Sequence, residues 1–419
     1  MRKIETVGDV AAWRMCLGCG ACAYACPTEN VSLVNILEEG IRPVLTSAKC
    51  SDCNVCLSVC PAWENDHRPL LNRSGAIKEL RESCGPVLEI WEGHATDPEI
   101  RYMGSSGGVL TAIAAYCLEK VGMSGVLHIG ADPHDPTKNR TRLSHSRNEL
   151  LEFTGSRYAP ASACDRLDLI ENAPTPCVFI GQPAEVTALR KCASINERLA
   201  SKVGIALSFF CAGSPSTRGT LELLRRLNVP VDTLKSVRYR GRGWPGMFAT
   251  EKIDGTGAEH LTYRQSWSFL QSYRPLSTHI APDGSGEDAD ITCGDPWYRE
   301  PEAGALGSSL IVVRTELGRQ ILNAALREGY ITATRSEPAR LIASQRNLIN
   351  KRGAIWGRIL ALHLLGIPTP RLRGFHLFSC WWRHLSIADK LRSLFGTIKR
   401  ALKRGYCRRL VIRPRVEQT

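Results

Sequence analysis

The sequence contains no apolar run that approaches the 18 or more residues needed to span a bilayer. Its first six residues, Met1 to Thr6, include three charged side chains and lead into no apolar segment of the kind that a secretory signal peptide requires. The chain also has no low-complexity tract. We therefore expect a protein of the reducing cytoplasm without a membrane-spanning helix.

Negative charge is scarce at the carboxyl end of the chain. Residues 371–419 hold 13 Lys or Arg but only two Asp or Glu, a net charge of +11 within a total of +13. The main body, residues 1–370, is therefore nearly neutral. The feature to explain is a basic tail and not a basic protein. Nothing in the sequence resembles a recognised nucleic-acid module, so we expect no nucleic-acid partner.

Cysteine is plentiful and clustered. The pattern C-x2-C-x2-C-x3-C-P occurs twice, as Cys16, Cys19, Cys22, Cys26 and Pro27, and as Cys50, Cys53, Cys56, Cys60 and Pro61. In bacterial ferredoxins three closely spaced thiolates of such a run bind one 4Fe–4S cluster and the fourth binds the other cluster. The spacing therefore predicts two clusters, one bound by Cys16, Cys19, Cys22 and Cys60 and the other by Cys50, Cys53, Cys56 and Cys26, and hence electron transfer.

Two other interpretations of the cysteines are weaker. A zinc ribbon uses two C-x2-C pairs and gives no reason for a third cysteine or a following proline. A disulfide framework is typical of small secreted domains, whereas this chain has 419 residues. The nine cysteines outside the runs lack ligand-like spacing, and we expect most of them to be small buried hydrophobic residues.

The length requires a larger domain after the cysteine runs. We divide the chain into a ferredoxin-like domain (1–65), a linker rich in turn-forming residues (66–85), two lobes (86–170 and 171–370) and the tail (371–419). Short apolar runs predict strands at 87–91, 125–130, 177–181, 203–210 and 308–313, and apolar periodicity predicts helices at 109–118, 184–196, 216–227 and 315–328. This alternation predicts an α/β fold with a sheet covered on both faces, following the ferredoxin-like domain.

A turn of small residues, Ser105, Ser106, Gly107 and Gly108, precedes the first predicted helix of the larger domain. Unhindered backbone N–H groups, two hydroxyls and the positive end of a helix dipole suit an anionic oxygen, such as a flavin phosphate. Alone, Ser-Gly before a helix is more often an ordinary cap and turn.

Several later loops also have ligand-friendly composition. Thr154, Gly155, Ser156, Arg157 and Tyr158 combine hydroxyls with a fixed positive charge, although an ordinary polar turn has the same composition. Two predicted neighbouring strands end in Gly181-Gln182-Pro183 and in Cys211-Ala212-Gly213-Ser214-Pro215, at the carboxyl edge where α/β folds bind ligands. Trp244 and Trp297 follow or lie in Gly-containing segments and could cover a planar ring or be part of the core.

In this order the motifs resemble the coenzyme F420 hydrogenase/dehydrogenase beta-subunit family with an N-terminal two-cluster ferredoxin domain. The resemblance covers roughly residues 10–370 and includes Ala289-Asp290-Ile291-Thr292-Cys293-Gly294-Asp295-Pro296-Trp297. It implies FAD between an N-terminal and a C-terminal lobe, iron–sulfur clusters next to it, and reaction with a deazaflavin coenzyme or, in a plant relative, a chlorophyll derivative. Residues 86–170 would then be the flavin-binding lobe and 171–370 the C-terminal lobe of the family.

The sequence departs from the family pattern twice. Ala184 follows the Gly-x-Pro motif where members often have Cys, and no C-x-x-C pair precedes Pro282-Asp283-Gly284. We therefore expect no further cluster or redox thiol in the C-terminal lobe. The substrate chemistry of members that have these cysteines is not carried over to this chain.

The expected function is a flavin-dependent iron–sulfur oxidoreductase in which the clusters exchange electrons with FAD and FAD exchanges a hydride with a small molecule, coenzyme F420 being a candidate. Residues 105–108 and 154–158 would bind the FAD phosphates and ribityl chain, and Gly181, Gln182, Pro183, Cys211, Gly213 and Pro215 would form the ring site. A ferredoxin or another redox protein would be the partner. The alternative is an electron-transfer adaptor that supplies a partner enzyme, for example in surface polysaccharide synthesis.

The tail predicts an amphipathic basic helix over Ser386 to Leu402, with Ser386 and Asp389 forming a capping box. Such a helix suits peripheral contact of residues 371–415 with the inner face of a membrane, with upstream aromatic residues as anchors. The alternative is a helix packed on its own protein or on a partner, since amphipathicity alone does not separate the two.

Overall fold

The structure is a computed structural model that describes residues 3–46, 50, 53–301 and 304–412. Its strands are β1 Val31–Ile36, β2 Gly40–Leu45, β3 Glu64–Asp66, β4 Glu89–Ala95, β5 Val126–Ala131, β6 Asn139–Ser144, β7 Cys177–Gly181, β8 Val203–Phe209, β9 Leu234–Arg238, β10 Met247–Lys252, β11 Gly257–Thr262, β12 Ile291–Gly294, β13 Ser309–Val313, β14 Ile331–Arg335 and β15 Arg371–Arg373. Its helices are α1 Val7–Ala12, α2 Ala21–Tyr24, α3 Val55–Ser58, α4 Arg68–Leu71, α5 Arg81–Cys84, α6 Pro98–Met103, α7 Val109–Tyr116, α8 Arg147–Glu152, α9 Asp168–Glu171, α10 Pro183–Ala193, α11 Glu197–Lys202, α12 Thr217–Arg226, α13 Tyr263–Leu270, α14 Leu276–Ile280, α15 Glu316–Arg327, α16 Pro338–Ser344, α17 Arg346–Leu364, α18 Leu377–His384 and α19 Ile387–Lys403. None of these helices is long and apolar enough to cross a membrane.

The cysteine runs belong to a small N-terminal unit. Helix α1 begins at a capping box between Thr6 and Asp9, and β1 and β2 form an antiparallel hairpin. Each run ends in one helical turn, α2 or α3, and each turn follows a residue with a positive φ angle, Gly20 at 87° or Asn54 at 51°. The third cysteine of each run, Cys22 or Cys56, lies within that turn. The repeated sequence pattern therefore produces a repeated local structure.

The larger part of the chain is built on an eight-stranded mixed sheet with the order β14-β4-β13-β12-β8-β7-β5-β6. Strands β5, β7, β8 and β12 run parallel at its centre, and the outer pairs are antiparallel. The first lobe (86–170) contributes β4, β5 and β6, and the second lobe (171–370) contributes the other five. Because β4 lies between β13 and β14, the two lobes share one sheet.

Helices cover both faces of this sheet, as the alternation of strands and helices predicts. On one face Val126, Val178 and Ile205 pack with α7, α8 and α15. On the other face Leu127, Phe179 and Ala206 pack with α9, α10 and α11, and Ala21 and Val59 from the cysteine-containing unit join the same cluster. The period-two alternation of these residues along each strand places successive side chains on opposite faces. The N-terminal unit is therefore part of the main core.

The segment predicted as a linker, 66–85, is instead ordered and packed, so this prediction is wrong as a description of its structure. Leu80 and Cys84 are buried beneath the sheet with Ile90 and Leu310. Strand β3 pairs in parallel with β15 from the tail. Pro69 lies in the first turn of α4, Asn72 ends that helix and Gly75 forms a turn, while the apolar residues that follow attach the segment to the core.

A buried ionic network joins this segment to the main body. His67 Nδ1 lies 2.9 Å from Glu287 Oε2 and its Nε2 lies 3.1 Å from Asp288 Oδ2. The Arg352 guanidinium from α17 pairs with the other oxygen of Glu287. The His67 ring packs on Phe375, with ring centroids 4.1 Å apart. Since all these groups are enclosed, the network depends on its members being paired.

A second, three-stranded antiparallel sheet has the order β11-β10-β9 and packs with α12 and α13. The sequence analysis did not predict it. Its outer strand β11 is largely exposed and polar, so it lacks the apolar run by which the buried strands were found. The sheet places Arg240 and Tyr263, which follow β9 and β11, beside the loops of the main sheet.

The tail packs on the body of the protein. Helices α18 and α19 lie against α17, and α19 uses the buried residues Ser393, Thr397 and Ala401 for this contact. A Cβ atom at Gly357 of α17 would lie 2.1 Å from Ser393 Oγ, so the helices approach closely at this glycine. The outer side of α19 carries Ile387, which is 76% exposed, and Phe395, which is 60% exposed.

Candidate active site

Cysteines of both runs lie near one another in the structure, and their grouping into two sets stays a prediction. Burial raises the pKa of the Cys22 thiol, and the nearby thiols of Cys19, Cys16, Cys60 and, from the other predicted set, Cys56 raise it further. Around these four sulfurs lies a small void of about 20 Å³, also bordered by apolar side chains of α1. Four thiols around an apolar void suit a 4Fe–4S cluster, although ligation stays a prediction.

In the second predicted set, Cys56 lies near the other three cysteines. Burial raises the pKa of Cys56, and Cys50, Cys53 and Cys26 add to the effect. This set is closer to the surface: Cys53 is exposed and Cys50 and Cys26 are partly exposed, whereas Cys16 and Cys22 are buried. The second set is therefore accessible to another protein.

A cleft of about 710 Å³ opens at the carboxyl ends of the central strands. Of the predicted binding residues it is lined by Ser105, Ser106, Gly108, Thr154, Gly155, Ser156, Arg157, Tyr158, Gly181, Gln182, Cys211 and Gly213. Gly107 lies behind the cleft wall, and Pro183 and Pro215 instead line a smaller neighbouring cavity. A cleft of this size can hold a large organic cofactor.

The Ser-Ser-Gly-Gly turn is attached firmly to the sheet. Ser106 Oγ donates to Ser308 O at 2.6 Å, and the Gly107 N–H donates to Ser309 Oγ at 2.9 Å. A Cβ at Gly107 would lie 2.7 Å from Gly93 O, so glycine is needed for this close approach. Gly108, at φ 74°, precedes α7, whose first turn has no side-chain cap. The open N–H groups for an anion are therefore those of the α7 start.

Arg157 has a structural role that the sequence did not predict. Its guanidinium donates to Val237 O at 3.1 Å and to Pro136 O at 2.6 Å, and its Nε donates to Asn139 Oδ1. Burial lowers its pKa. Because these contacts use most of its donors, Arg157 holds the loop in shape.

Arg240 and Asp295 form an ion pair in the cleft wall. Arg240 donates from two nitrogens to the two Asp295 carboxylate oxygens at 2.7 and 2.9 Å, and it also contacts Ser105 O. Burial opposes the charged form, but the Asp295 carboxylate raises the pKa of Arg240 well above its usual value. The pair joins the second sheet to the Ser-Ser-Gly-Gly turn.

Aromatic rings extend this wall. The Tyr263 and Trp297 rings are nearly parallel, with centroids 5.4 Å apart, and the Trp244 ring also stacks with Trp297, with centroids 5.4 Å apart. Trp297 and Tyr263 line the cleft, whereas Trp244 is buried and donates its Nε1–H to Asp295 Oδ1 at 2.7 Å. Of the two tryptophans considered from the sequence, Trp297 therefore faces the cleft and Trp244 supports it.

The opposite wall borders the first cysteine set. Gln182 Oε1 accepts from Ser214 Oγ at 3.2 Å and lies 3.5 Å from Cys211 Sγ. A cavity of about 50 Å³ behind this wall is lined by Gln182 and Cys211 as well as by Cys19. Glu185 faces both spaces, accepts from the Gln182 N–H at 2.7 Å, and has a pKa raised by burial to about 7.

A group of basic residues in the cleft was missed by the sequence analysis. Its members are Arg274, Lys351, Arg358 and Arg400. Lys351 and Arg358 are seven residues apart on α17, a spacing that places both on one face of a helix, and this was the one available signal. Arg274 and Arg400 come from distant segments that only tertiary packing brings together.

Comparison with known proteins agrees with this geometry. Residues 15–63 match the sequence model of the 4Fe–4S dicluster domain, so fold and site together define an iron–sulfur protein of the oxidoreductase class. Residues 90–167 and 176–339 match the N-terminal and C-terminal models of the coenzyme F420 hydrogenase/dehydrogenase beta subunit. The chain belongs to this family, as its motifs indicated.

Individual relatives are distant. The F420-dependent formate dehydrogenase subunit beta of Methanocaldococcus jannaschii is 26% identical over 57% of this chain, and the match spans only 59% of that protein. The coenzyme F420 hydrogenase subunit beta of Methanosarcina barkeri is 22% identical over 58% of this chain and 81% of its own length. A chain of the F420-reducing NiFe hydrogenase complex from Methanosarcina barkeri has a similar fold, with a TM-score of 0.51 and 20% identity over 70% of this chain and 97% of that chain.

Proposed function

We propose that this protein is an iron–sulfur flavoprotein oxidoreductase that passes electrons between two 4Fe–4S clusters and FAD and on to a substrate that accepts or donates a hydride. One observation carries the proposal. The cleft assembled from the predicted binding loops shares the Gln182–Cys211 wall with the cavity that Cys19 borders. A cofactor in the cleft would therefore lie next to the first cysteine set.

The cleft residues would have distinct tasks. The α7 start, with Ser105, Ser106, Gly107 and Gly108, and the loop of Thr154, Gly155, Ser156, Arg157 and Tyr158 would hold the FAD phosphates and ribityl chain. Gly181, Gln182, Pro183, Cys211, Gly213 and Pro215 would form the side toward the cysteines. Bound FAD and clusters would supply the conversion between single electrons and a hydride pair. The protein residues would orient the ring and exclude water from it.

The substrate and partner follow from the relatives. Several are named for coenzyme F420, including a coenzyme F420-dependent sulfite reductase that is 22% identical over 75% of this chain and 47% of its own length. Coenzyme F420 is therefore the first substrate to test. Since the relatives are subunits of larger enzymes by name, a redox protein that approaches the exposed Cys53 side is the expected partner.

The tail supports a second contact, with an anionic lipid surface at the inner face of the membrane. Helix α19 packs its small residues on the protein and turns Ile387, Leu391, Phe395 and Leu402 outward, next to exposed Trp382 of α18. Lys390 lies 4.8 Å from the centroid of the Trp382 ring, so cationic and apolar groups occupy the same face. This combination is typical of helices that lie in a membrane interface.

Anaerobic purification followed by reconstitution with iron, sulfide and FAD tests the proposal. We expect absorbance of both the clusters and flavin, and turnover when reduced coenzyme F420, NADPH or reduced ferredoxin is offered with a matching acceptor. A colourless protein after reconstitution would overturn the proposal. Cofactor binding without turnover of any diffusible donor would instead favour the electron-transfer adaptor.

A further inference from the structure

We propose that the basic pocket formed by Arg274, Lys351, Arg358 and Arg400 binds a multiply charged phosphate or carboxylate group of the substrate that reacts in the cleft. This inference rests on the proposed function, because it takes the anion to be part of the substrate that reacts in the cleft. That the pocket binds an anion at all rests only on the positions of the four basic side chains.

Three of the four basic side chains donate to backbone carbonyls, and Arg274 also lies 5.8 Å from the centroid of the Trp267 ring. Lys351 Nζ donates to Ala212 O at 3.3 Å and Arg274 donates to the same carbonyl at 2.8 Å. Arg358 donates to His279 O at 2.6 Å. These contacts fix the positions of the cationic groups while leaving donors free, since a guanidinium has five N–H groups and an ammonium has three.

The positive charges are not neutralised by the protein. Within residues 3–46, 50, 53–301 and 304–412, no carboxylate oxygen lies within 4.0 Å of a nitrogen of any of these four side chains. Arg274, Lys351 and Arg358 are half-buried and Arg400 is exposed at the rim. Cations that are partly removed from water and lie close together are favoured by a counter-charge. The group at the wall of an open cleft therefore suits an anion that arrives with a ligand.

The pKa values of these side chains reflect the repulsion between their positive charges. Burial lowers the pKa of Lys351 to about 8, and Arg274 and Arg358 lower it further, while Cys211 and the Asp283 carboxylate, which lies beyond ion-pair distance, oppose them. Burial, together with Arg400 and Arg274, lowers the pKa of Arg358 to about 10. His279 is held neutral, since burial and the same four cations lower its pKa to about 2.

The pocket is separate from the proposed phosphate-binding turn in its construction. It is formed by α17, α19, the loop that contains Ala212, and α14 with the residues just before it, whereas the turn before α7 contacts Ser308, β13 and Arg240. Lys351, Arg358 and Arg400 also lie outside residues 90–167 and 176–339, which match the family models. The basic pocket is therefore a feature of the C-terminal helices of this chain.

The experiment titrates the full-length chain, reconstituted with iron, sulfide and FAD, with inorganic pyrophosphate by calorimetry, and with citrate as the carboxylate probe. The variants are Lys351→Gln and Arg358→Gln, and Arg346→Gln is the matched control because Arg346 is exposed on the same helix outside the cleft. We expect about tenfold weaker binding of the preferred anion for each pocket variant, the loss of one charge-assisted contact, and no change for the control.

The flavin content distinguishes the two sources of phosphate. FAD per polypeptide should be the same in all variants if the pocket serves the substrate. Loss of FAD from the pocket variants would show that the cations hold the FAD phosphates, and unchanged affinity for both probes would also overturn the inference. If Arg346→Gln weakened anion binding as much as the pocket variants do, the effect would be one of general surface charge, and this result would also overturn the inference.

Two further controls keep the result interpretable. Arg400→Gln alters an exposed side chain of α19, so it tests the pocket even if a substitution on α17 prevents folding. If the wild-type chain takes up no FAD, the proposed function fails, yet pyrophosphate titration of that flavin-free chain still tests the pocket. The two failures are therefore distinguishable.

Discussion

Arg240 and Asp295 are joined by two hydrogen bonds, of 2.7 and 2.9 Å, although they come from different sheets. The Arg240 side chain is only 3% exposed. This pair is the main ionic link between the second sheet and the loop of the main sheet that carries Trp297. It therefore fixes one wall of the cleft.

Removing the carboxylate should be costly. In Asp295→Asn the Arg240 charge stays buried without a counter-charge, and we expect a loss of about 3 kcal/mol in the free energy of unfolding. Urea unfolding under anaerobic conditions measures it. The control is Glu300→Gln, which breaks the 3.0 Å pair with Arg264 that is more than 80% exposed on both sides and should change stability by less than about 0.5 kcal/mol. Equal effects of both substitutions would contradict the assignment.

The His67 network predicts a pH dependence of stability. Burial disfavours the charged ring, but Asp288 and Glu287 overcome this and raise the pKa of His67 to about 10, from 6.5. A raised pKa in the folded state stabilises the protein fully below pH 6.5, and this contribution is lost as the pH rises to 10. The slope for one proton is at most about 1.4 kcal/mol per pH unit.

The measurement compares the wild-type protein with His67→Gln at pH 7, 8 and 9. The wild-type free energy of unfolding should fall relative to that of the variant over this range, because the variant has no proton to lose at this position. Parallel curves would show that His67 is not protonated in the folded protein. The other charges around the ring, Arg352, Arg314 and Asp283, are common to both proteins.

The grouping of the cysteines can be tested by iron content. If Cys16 and Cys60 bind the same cluster, the double variant Cys16→Ala/Cys60→Ala should retain about half of the wild-type iron, since the Cys50, Cys53, Cys56 and Cys26 set stays complete. If each run bound its own cluster, the double variant would damage both. Cys177→Ala, in a buried strand, is the control and should retain all the iron.

Flavin binding should depend on the free volume of the cleft. Ser156 is partly exposed and lines the cleft, so the Trp side chain of Ser156→Trp should fill the space beside the α7 start. The affinity for FAD should fall by at least about tenfold, and the FAD content of the purified variant should fall with it. Cluster absorbance should be unaffected. Ser201→Trp places the same ring on the surface of α11 and should bind FAD normally. Gly107 is unsuitable for this test because its substitution would disturb the sheet itself.

The outer face of α19 should bind anionic vesicles. Sedimentation with vesicles containing phosphatidylglycerol should recover the wild-type protein, and Leu391→Asp/Phe395→Asp should stay in the supernatant because both substitutions place a charge in the apolar face. Ile253→Asp, at an isolated position that is 71% exposed, is the control. If the wild-type protein does not sediment with the vesicles and the exposed face of α19 binds a protein partner instead, the lipid assignment is contradicted.

The parts of the protein that could be predicted from the sequence depend on local patterns. The strand-end loops at Gln182 and Cys211 are each set by a few neighbouring residues, and both line the cleft at the carboxyl ends of β7 and β8. The cap of α19 is equally local: Ser386 Oγ accepts from the Asp389 N–H, which is one half of the predicted capping box, while the Asp389 carboxylate accepts from the Ser386 hydroxyl.

The parts that were missed depend on distant contacts. The basic pocket combines segments around residues 274, 351 and 400, and no local sequence pattern predicts that these three segments lie side by side. Arg157 looked like a free charge because the carbonyls that accept its hydrogen bonds come from residues 136 and 237. The supposed linker contains the turn formers of a loop, but Leu80 and Cys84 find their core partners in strands far along the chain.

Helix α19 has an inner side that packs on the protein and an outer side that is exposed, and the two are separated by one helix diameter, ~10 Å. Its inner side delivers Arg400 to the cleft, and its outer side displays Phe395 to the surroundings. The lipid contact proposed for the outer side and the anion contact proposed for the inner side therefore lie on one helix of seventeen residues. A surface bound to α19 would lie next to the cleft, so the two proposed contacts can be tested for mutual influence in the same protein.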